Sequence, residues 1–202
     1  MTTPSEKPAP SGSSPSTGGR YLLAGLIWLL AAIGVAGSGR LSELAPPAPQ
    51  LAIVGLTVTL IVLGVALPGF RAWLATWRLR QIIALHVTRF VGIYFLVLYG
   101  RGELPYAFAV PAGWGDIAIA TAALLLVVLV PDLTAHRGWV LVWNVAGFVD
   151  IGYALLTATR LAMADPQSVI ALLRLPLSLV PTFLVPIIVA SHVLVFARLL
   201  KE

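Results

Sequence analysis

The chain has 202 residues, of which 59% are hydrophobic and only 10% charged, with a formal net charge of +5. A soluble domain carries about 25% charged residues, so this composition, with a mean hydropathy of +0.96, excludes a soluble globular domain and describes a protein whose main partner is the lipid bilayer. The basic residues are scattered among loops, which excludes the dense basic stripe of a nucleic-acid binder; the absence of cysteine excludes disulfides, thiolate metal sites, iron–sulfur clusters and a cysteine nucleophile.

Residues 1–20 read MTTPSEKPAPSGSSPSTGGR. Pro, Ser, Gly and Thr dominate, and such a segment buries too little surface to offset its ordering entropy. It is expected to be a disordered cytoplasmic tail preceding one transmembrane domain, 21–202. The rival reading is a signal peptide, with Arg20 before an apolar run ending at Val35, Ala36 and Gly37. The long, nearly uncharged leader and the bulky Trp28 argue against it.

A span needs about 20 apolar residues, and six stretches qualify. They are 21–38, 51–68, 81–99, one ending at 130 and beginning between Pro105 and Pro111, 139–159, and 176–199. The predicted fold is an all-α membrane protein, a six-transmembrane-helix bundle. Residues 41–50 form a short connection. Between spans five and six, Asp165 can cap a helix and Pro166 suits its first turn, so 165–174 is read as a short helix on the membrane surface. No internal repeat is evident, so the best sequence pointer to a secondary transporter is missing.

Six spans put both termini on one side. Eight basic residues fall there: Lys7, Arg20, Arg71, Arg78, Arg80, Arg137, Arg198 and Lys201. Four fall opposite: Arg40, Arg101, Arg160 and Arg174. The positive-inside rule makes the first side cytoplasmic. Trp73, Trp77 and Trp139 sit where interfacial aromatics are expected. Arginine outnumbers lysine and alanine, glycine and proline are abundant, a composition typical of GC-rich bacteria, which points to a bacterial inner membrane.

Arg89, Asp116 and Asp150 lie inside the hydrophobic stretches. Such residues cost a few kcal/mol each and usually face a bundle interior with a function there. From the cytoplasmic side Arg89 lies about 12 Å deep and Asp150 about 16 Å, within reach of a guanidinium–carboxylate pair. Gly92 and Gly147, one turn away on the same faces, permit close helix approach. The pair is either a structural clamp or part of a polar cavity or ion path, unless helix tilts hold the two residues apart. Around Asp116, two prolines and two glycines interrupt the apolar run. This reads either as a re-entrant or broken start to the fourth helix, tolerated only where protein or a water-filled cavity satisfies the backbone, or as an ordinary interfacial loop with Asp116 as a plain N-cap.

His86 and His192 sit at matched depths of roughly 8–11 Å on spans three and six. They are candidate axial ligands of a b-type haem, with Arg78, Arg80 or Arg198 for its propionates; the plain alternative is structural histidine bonded to Thr or a carbonyl. His136, beside Arg137 in a loop, faces water. Pro176, Pro181 and Pro186 kink span six. No nucleotide, zinc-protease or hydrolase motif is present, and Ser178 and Ser191 have no evident base, so an enzyme is not indicated.

The segment GELPYAFAVPAGWGD, with HVTRFVG upstream and VPTFLVP and SHV downstream, resembles uncharacterised multi-pass membrane proteins of bacteria over spans three to six. The resemblance implies a class of protein and no activity. The expected function is binding or passage of a small solute or ion through a polar site built on Arg89, Asp116 and Asp150, with a haem protein or a structural or assembly role as the alternatives.

Overall fold

The computed structural model describes residues 17–200 and, among them, contains helices and no strands. Six stretches are long and apolar enough to cross a membrane: Gly18–Gly37, Ala48–Ala66, Leu79–Gly100, Tyr106–Leu129, Arg137–Ala164 and Val180–Leu199. At 1.5 Å per residue even the shortest reaches about 28 Å, close to the bilayer core. The protein is an all-α bundle, as its hydropathy predicts.

Helix α1, Thr17–Gly37, begins inside the expected tail; residues 1–16 lie outside the described residues. A short 3-10 turn, Arg40–Glu43, leads to α2, Ala48–Ala66. The next loop holds a helix that hydropathy did not reveal: α3, Pro68–Thr76, opened by proline at its first position. Its Phe70 and Trp73 pack on Tyr21 of α1, with ring centroids 5.0 and 5.3 Å away, and Trp73 meets Trp77. These are aromatics of the interfacial kind.

The third span is not one α-helix. It runs as α4, Leu79–Ala84, then a 3-10 segment, Leu85–Val91, then α5, Gly92–Gly100. Gly102 ends α5 in the left-handed region, φ 75°. Its N–H bonds the Tyr99 carbonyl at 2.9 Å and the Glu103 N–H bonds that of Leu98 at 2.9 Å, the paired closure that glycine permits after a helix end. Leu98 and Leu104 then share one core.

The fourth span settles the two readings offered for it. Helix α6, Tyr106–Leu129, is continuous, with Pro105 before it and Pro111 within it. It is neither re-entrant nor broken, since Pro111 removes only one backbone donor near the start. Asp116 is therefore not an N-cap: it lies ten residues in, about 15 Å along the axis.

The loop before α7 is organised by Asp132. Its Oδ1 accepts bonds from the Thr134 hydroxyl and from the Thr134 and Ala135 N–H groups. The Thr134 hydroxyl, first among these, holds the Asp132 carboxyl below the usual carboxylate range. Helix α7, Arg137–Ala164, runs five residues past its expected end. Asp165 caps the following segment by accepting from Gln167 N–H at 3.0 Å, but Pro166–Leu173 is 3-10 rather than α.

The last span opens with a π-turn, Val180–Leu184, and continues as α8, Val185–Leu199. Pro186 cannot donate to the carbonyl four residues back, that of Thr182. The Trp28 indole N–H of α1 takes that carbonyl at 3.2 Å, and the Trp28 ring packs on Phe183.

Apolar side chains on α1 and α2, such as Leu22 and Leu51, stay 60–65% exposed. They face outward, as lipid requires. Inside the bundle, one core joins Ile82, Ile83, Leu126, Val140, Trp143 and Val195 near the end where α8 finishes. A second joins Phe95, Leu98, Leu104, Phe108 and Leu177 near the other end. The polar residues lie between them.

Three arginines close helix ends on the face where α8 finishes. Arg80 donates to the Val127 carbonyl in the last turn of α6 and to the Val130 and Pro131 carbonyls just after it. Arg137 donates to the Leu199 carbonyl of α8, and Arg198 to the Leu74 and Trp77 carbonyls at the end of α3. Cations satisfy the last carbonyls of a helix and oppose its dipole.

Candidate functional site

The 3-10 segment is what aligns the site. With three residues per turn, positions i and i+3 eclipse, so His86, Arg89 and Gly92 fall on one stripe, and all three are buried. At Gly92 the backbones of α5 and α6 meet. A Cβ there would lie 2.5 Å from the Gly113 carbonyl oxygen and 2.7 Å from Asp116 Cβ. That crossing sets Asp116 beside Arg89.

Arg89 is 2% exposed. Its Nε donates to Asp116 Oδ1 at 2.6 Å, Nη1 to the Gly147 carbonyl at 3.0 Å, and Nη2 to Asp150 Oδ2. The expected Arg89–Asp150 pair is present, and Asp116 joins it. Glycine makes room for each partner: a Cβ at Gly115 would strike the Asp150 carboxylate, and one at Gly147 would lie 2.7 Å from His192 Cε1. Asp116 Oδ2 accepts no bond from the described residues.

One turn nearer the end of α8 lies a second polar layer. His86 Nε2 is 3.0 Å from the Ser191 hydroxyl, whose own proton goes to the Ile188 carbonyl at 2.8 Å. A hydroxyl has one proton, so Ser191 accepts from His86 Nε2–H. His192 Nδ1 is 2.8 Å from Asn144 Oδ1, while the Asn144 amide donates to the His192 carbonyl at 3.2 Å. Asn144 Oδ1 therefore accepts from His192 Nδ1–H. This leaves His86 Nδ1 and His192 Nε2 without partners. Trp143 closes the layer, 4.7 Å from the His86 ring, with its indole N–H on the Ile119 carbonyl.

The histidines meet, but not around a haem. Two axial imidazoles must face one another across a macrocycle, each about 2 Å from the metal. Here both rings are fully buried and pack edge to face, with centroids 4.3 Å apart at 61°. Arg80 and Arg198, expected at the propionates, hold helix carbonyls instead. The matched depths reflect a packed polar layer. Ser191 does have a base beside it, contrary to expectation, but its proton goes to the Ile188 carbonyl rather than to His86. His136 is exposed, bonded to the Asp132 carbonyl and packed on Trp139.

Arg89 and Asp116 form the floor of a chamber of about 340 Å³. Its walls are apolar: Ile53 of α2, Phe95 of α5, Phe108 of α6, Leu155 of α7, and Leu184 and Ile188 of the last span. Ser42, Glu43, Gln50 and Gln167 stand at its mouth, on the side opposite the end of α8. The volume is that of a small-ligand site. Nothing in the sequence pattern announces the chamber, because it is a gap between helices distant along the chain. Gln50 Oε1 is also buried there without a partner.

A family profile described as Domain of unknown function (DUF8737) matches residues 46–200. The chain belongs to that family. The matched region holds α2 to α8, and with them both polar layers and all of the chamber except Ser42, Glu43 and the residues beside them. Among curated proteins no match was found, and none was found among solved structures. Membership assigns no activity; with six apolar spans, the chain is a multi-pass membrane protein.

Proposed function

We propose that this protein binds a small solute in the chamber above Arg89, Asp116 and Asp150, as a step in its recognition or passage across a bacterial inner membrane. The observation that carries this reading is the position of the charged cluster. A purely structural clamp has every reason to be sealed, because charges in the bundle interior are costly. Here Asp116 keeps an oxygen free and lines a chamber with a polar mouth. Two departures from α geometry, the 3-10 segment carrying Arg89 and the π-turn lining the chamber, border it; such irregularities are frequent at functional positions. Below the cluster the His86–His192 layer is packed shut, so passage requires a second arrangement of the bundle.

Filling the chamber is the direct test. Ala158 lines it, and Ala158→Trp should weaken binding of any solute by about tenfold or more while the protein still folds. The measurement is saturable binding or liposome flux over a panel of labelled solutes. A folded Ala158→Trp protein with undiminished binding or flux would show that the chamber is not the site.

The basic side of the bundle supports cytoplasmic termini, which makes the chamber mouth extracytoplasmic. A reporter fused after residue 202 should then read cytoplasmic, and one inserted within 160–174 extracytoplasmic. The reverse pattern would overturn this orientation.

A further inference from the structure

We infer that the chamber takes a monocation with an apolar body, of the alkylammonium class, and exchanges it for a proton at the Arg89–Asp116–Asp150 cluster. This rests on the reading that the chamber binds a solute, and adds its charge and its exchange partner.

The argument begins with a charge count. One guanidinium faces two carboxyl groups. With both ionised, the cluster holds one uncompensated negative charge inside an apolar bundle, where such a charge costs several kcal/mol. The groups on the surrounding elements do not supply the balance. Inside the bundle the third span contributes Arg89 and His86, α6 Asp116, α7 Asp150 and α8 His192; of the other cations on these elements and on the turn that carries Glu43, Arg40 and Arg160 are exposed, and Arg80, Arg137 and Arg198 lie on helix-end carbonyls. Both histidines are fully buried with one nitrogen unpartnered, and a second N–H there would be a buried charge with no acceptor, so each is counted as neutral. Helix α2 has no ionisable side chain. At the mouth Glu43 adds further negative charge. The cluster therefore has room for one more positive charge, either a proton shared by the carboxyl groups or a bound cation.

The geometry separates cation from anion. All three guanidinium nitrogens of Arg89 already donate, two of them to carboxylates. An anionic head group could reach only the second N–H of Nη1 or Nη2 and would add to the negative excess of the cluster. A cationic head meets the open Asp116 Oδ2 instead. Ile53, Phe95, Phe108, Leu155 and Leu184 then cover an apolar body, whose burial supplies affinity.

The exchange balances. In the unoccupied cluster one carboxyl carries an O–H bond. As the cation arrives that bond breaks, its electron pair stays on the carboxylate oxygen and the proton leaves for bulk water. The net charge of the cluster is unchanged, and nothing is oxidised or reduced.

The test uses three probes with one body and permanent head charges: octyltrimethylammonium, octyl sulfate and octanol. Each is titrated calorimetrically into the full chain in zwitterionic nanodiscs, with empty nanodiscs subtracted, in two buffers of different ionisation enthalpy. The expected result is saturable binding of octyltrimethylammonium, about tenfold or more tighter than either other probe. About one proton should be released per cation bound. That proton must come from the protein, because the probe has none to lose. Asp116→Asn should weaken cation binding by about tenfold or more and abolish proton release. Asp150→Asn, which leaves the chamber lining intact, should abolish the release and serves if the first variant does not fold. Equal binding of all three probes, preference for octyl sulfate, or cation binding without proton release would overturn the exchange while leaving a solute-binding chamber. No saturable binding of any probe would overturn both readings.

Discussion

Replacing Arg89 with methionine is expected to destabilise the bundle by about 3–5 kcal/mol, because removing one partner of a buried ion cluster strands the other charges. Two carboxyl groups would remain between α6 and α7, with the Gly147 carbonyl also losing its donor. Denaturant or thermal unfolding in a mild detergent measures the loss. The triple variant Arg89→Met, Asp116→Asn, Asp150→Asn should recover much of it, since the charges that were stranded are gone. The same non-additivity should appear between Arg89 and Asp150 alone in a double-mutant cycle. Strict additivity would mean that the residues touch without depending on one another.

Gly92→Ala is the second substitution with a large expected effect. Its new methyl group would lie 2.5 Å from the Gly113 carbonyl oxygen. That neighbour is backbone, which cannot rotate aside, so α5 and α6 must separate. Overpacking of this kind costs about 1–3 kcal/mol, and the separation also stretches the Arg89–Asp116 bond. The matched control is Gly152→Ala on α7, where a Cβ meets nothing within 4 Å; it should be neutral or slightly stabilising, as glycine in a helix interior is unfavourable. Equal melting temperatures for the two variants would sink the close-crossing argument.

Much of the architecture was legible because lipid imposes one rule on every span: about 20 apolar residues in a row. The Arg89–Asp150 pair was legible for a related reason, since position along a span converts directly into depth. Asp116 was expected at the polar site, but its direct bond to Arg89 was not legible, because Pro105, Pro111, Gly113 and Gly115 read as a broken entrance. In fact Pro111 costs a helix start little, and Gly113 and Gly115 are helical positions at which α5 and the Asp150 carboxylate come close. The depths of His86 and His192 matched, but depth carries no information on ring orientation or on Ser191 and Asn144 as partners. The switch to 3-10 geometry at Leu85–Val91 has no proline or glycine inside it to announce it; the stripe it creates becomes visible only when residues are placed three to a turn.

The arginines that close helix ends also change what the basic face shows to lipid. Each helix C-terminus carries about half an elementary negative charge, and Arg80, Arg137 and Arg198 each lie against one. Their outward field is therefore roughly half of what three free guanidinium groups would project. Anionic headgroups are drawn to a protein by the potential at its surface. This face thus holds lipid less tightly than its number of arginines implies, and much of its positive charge is spent within the protein.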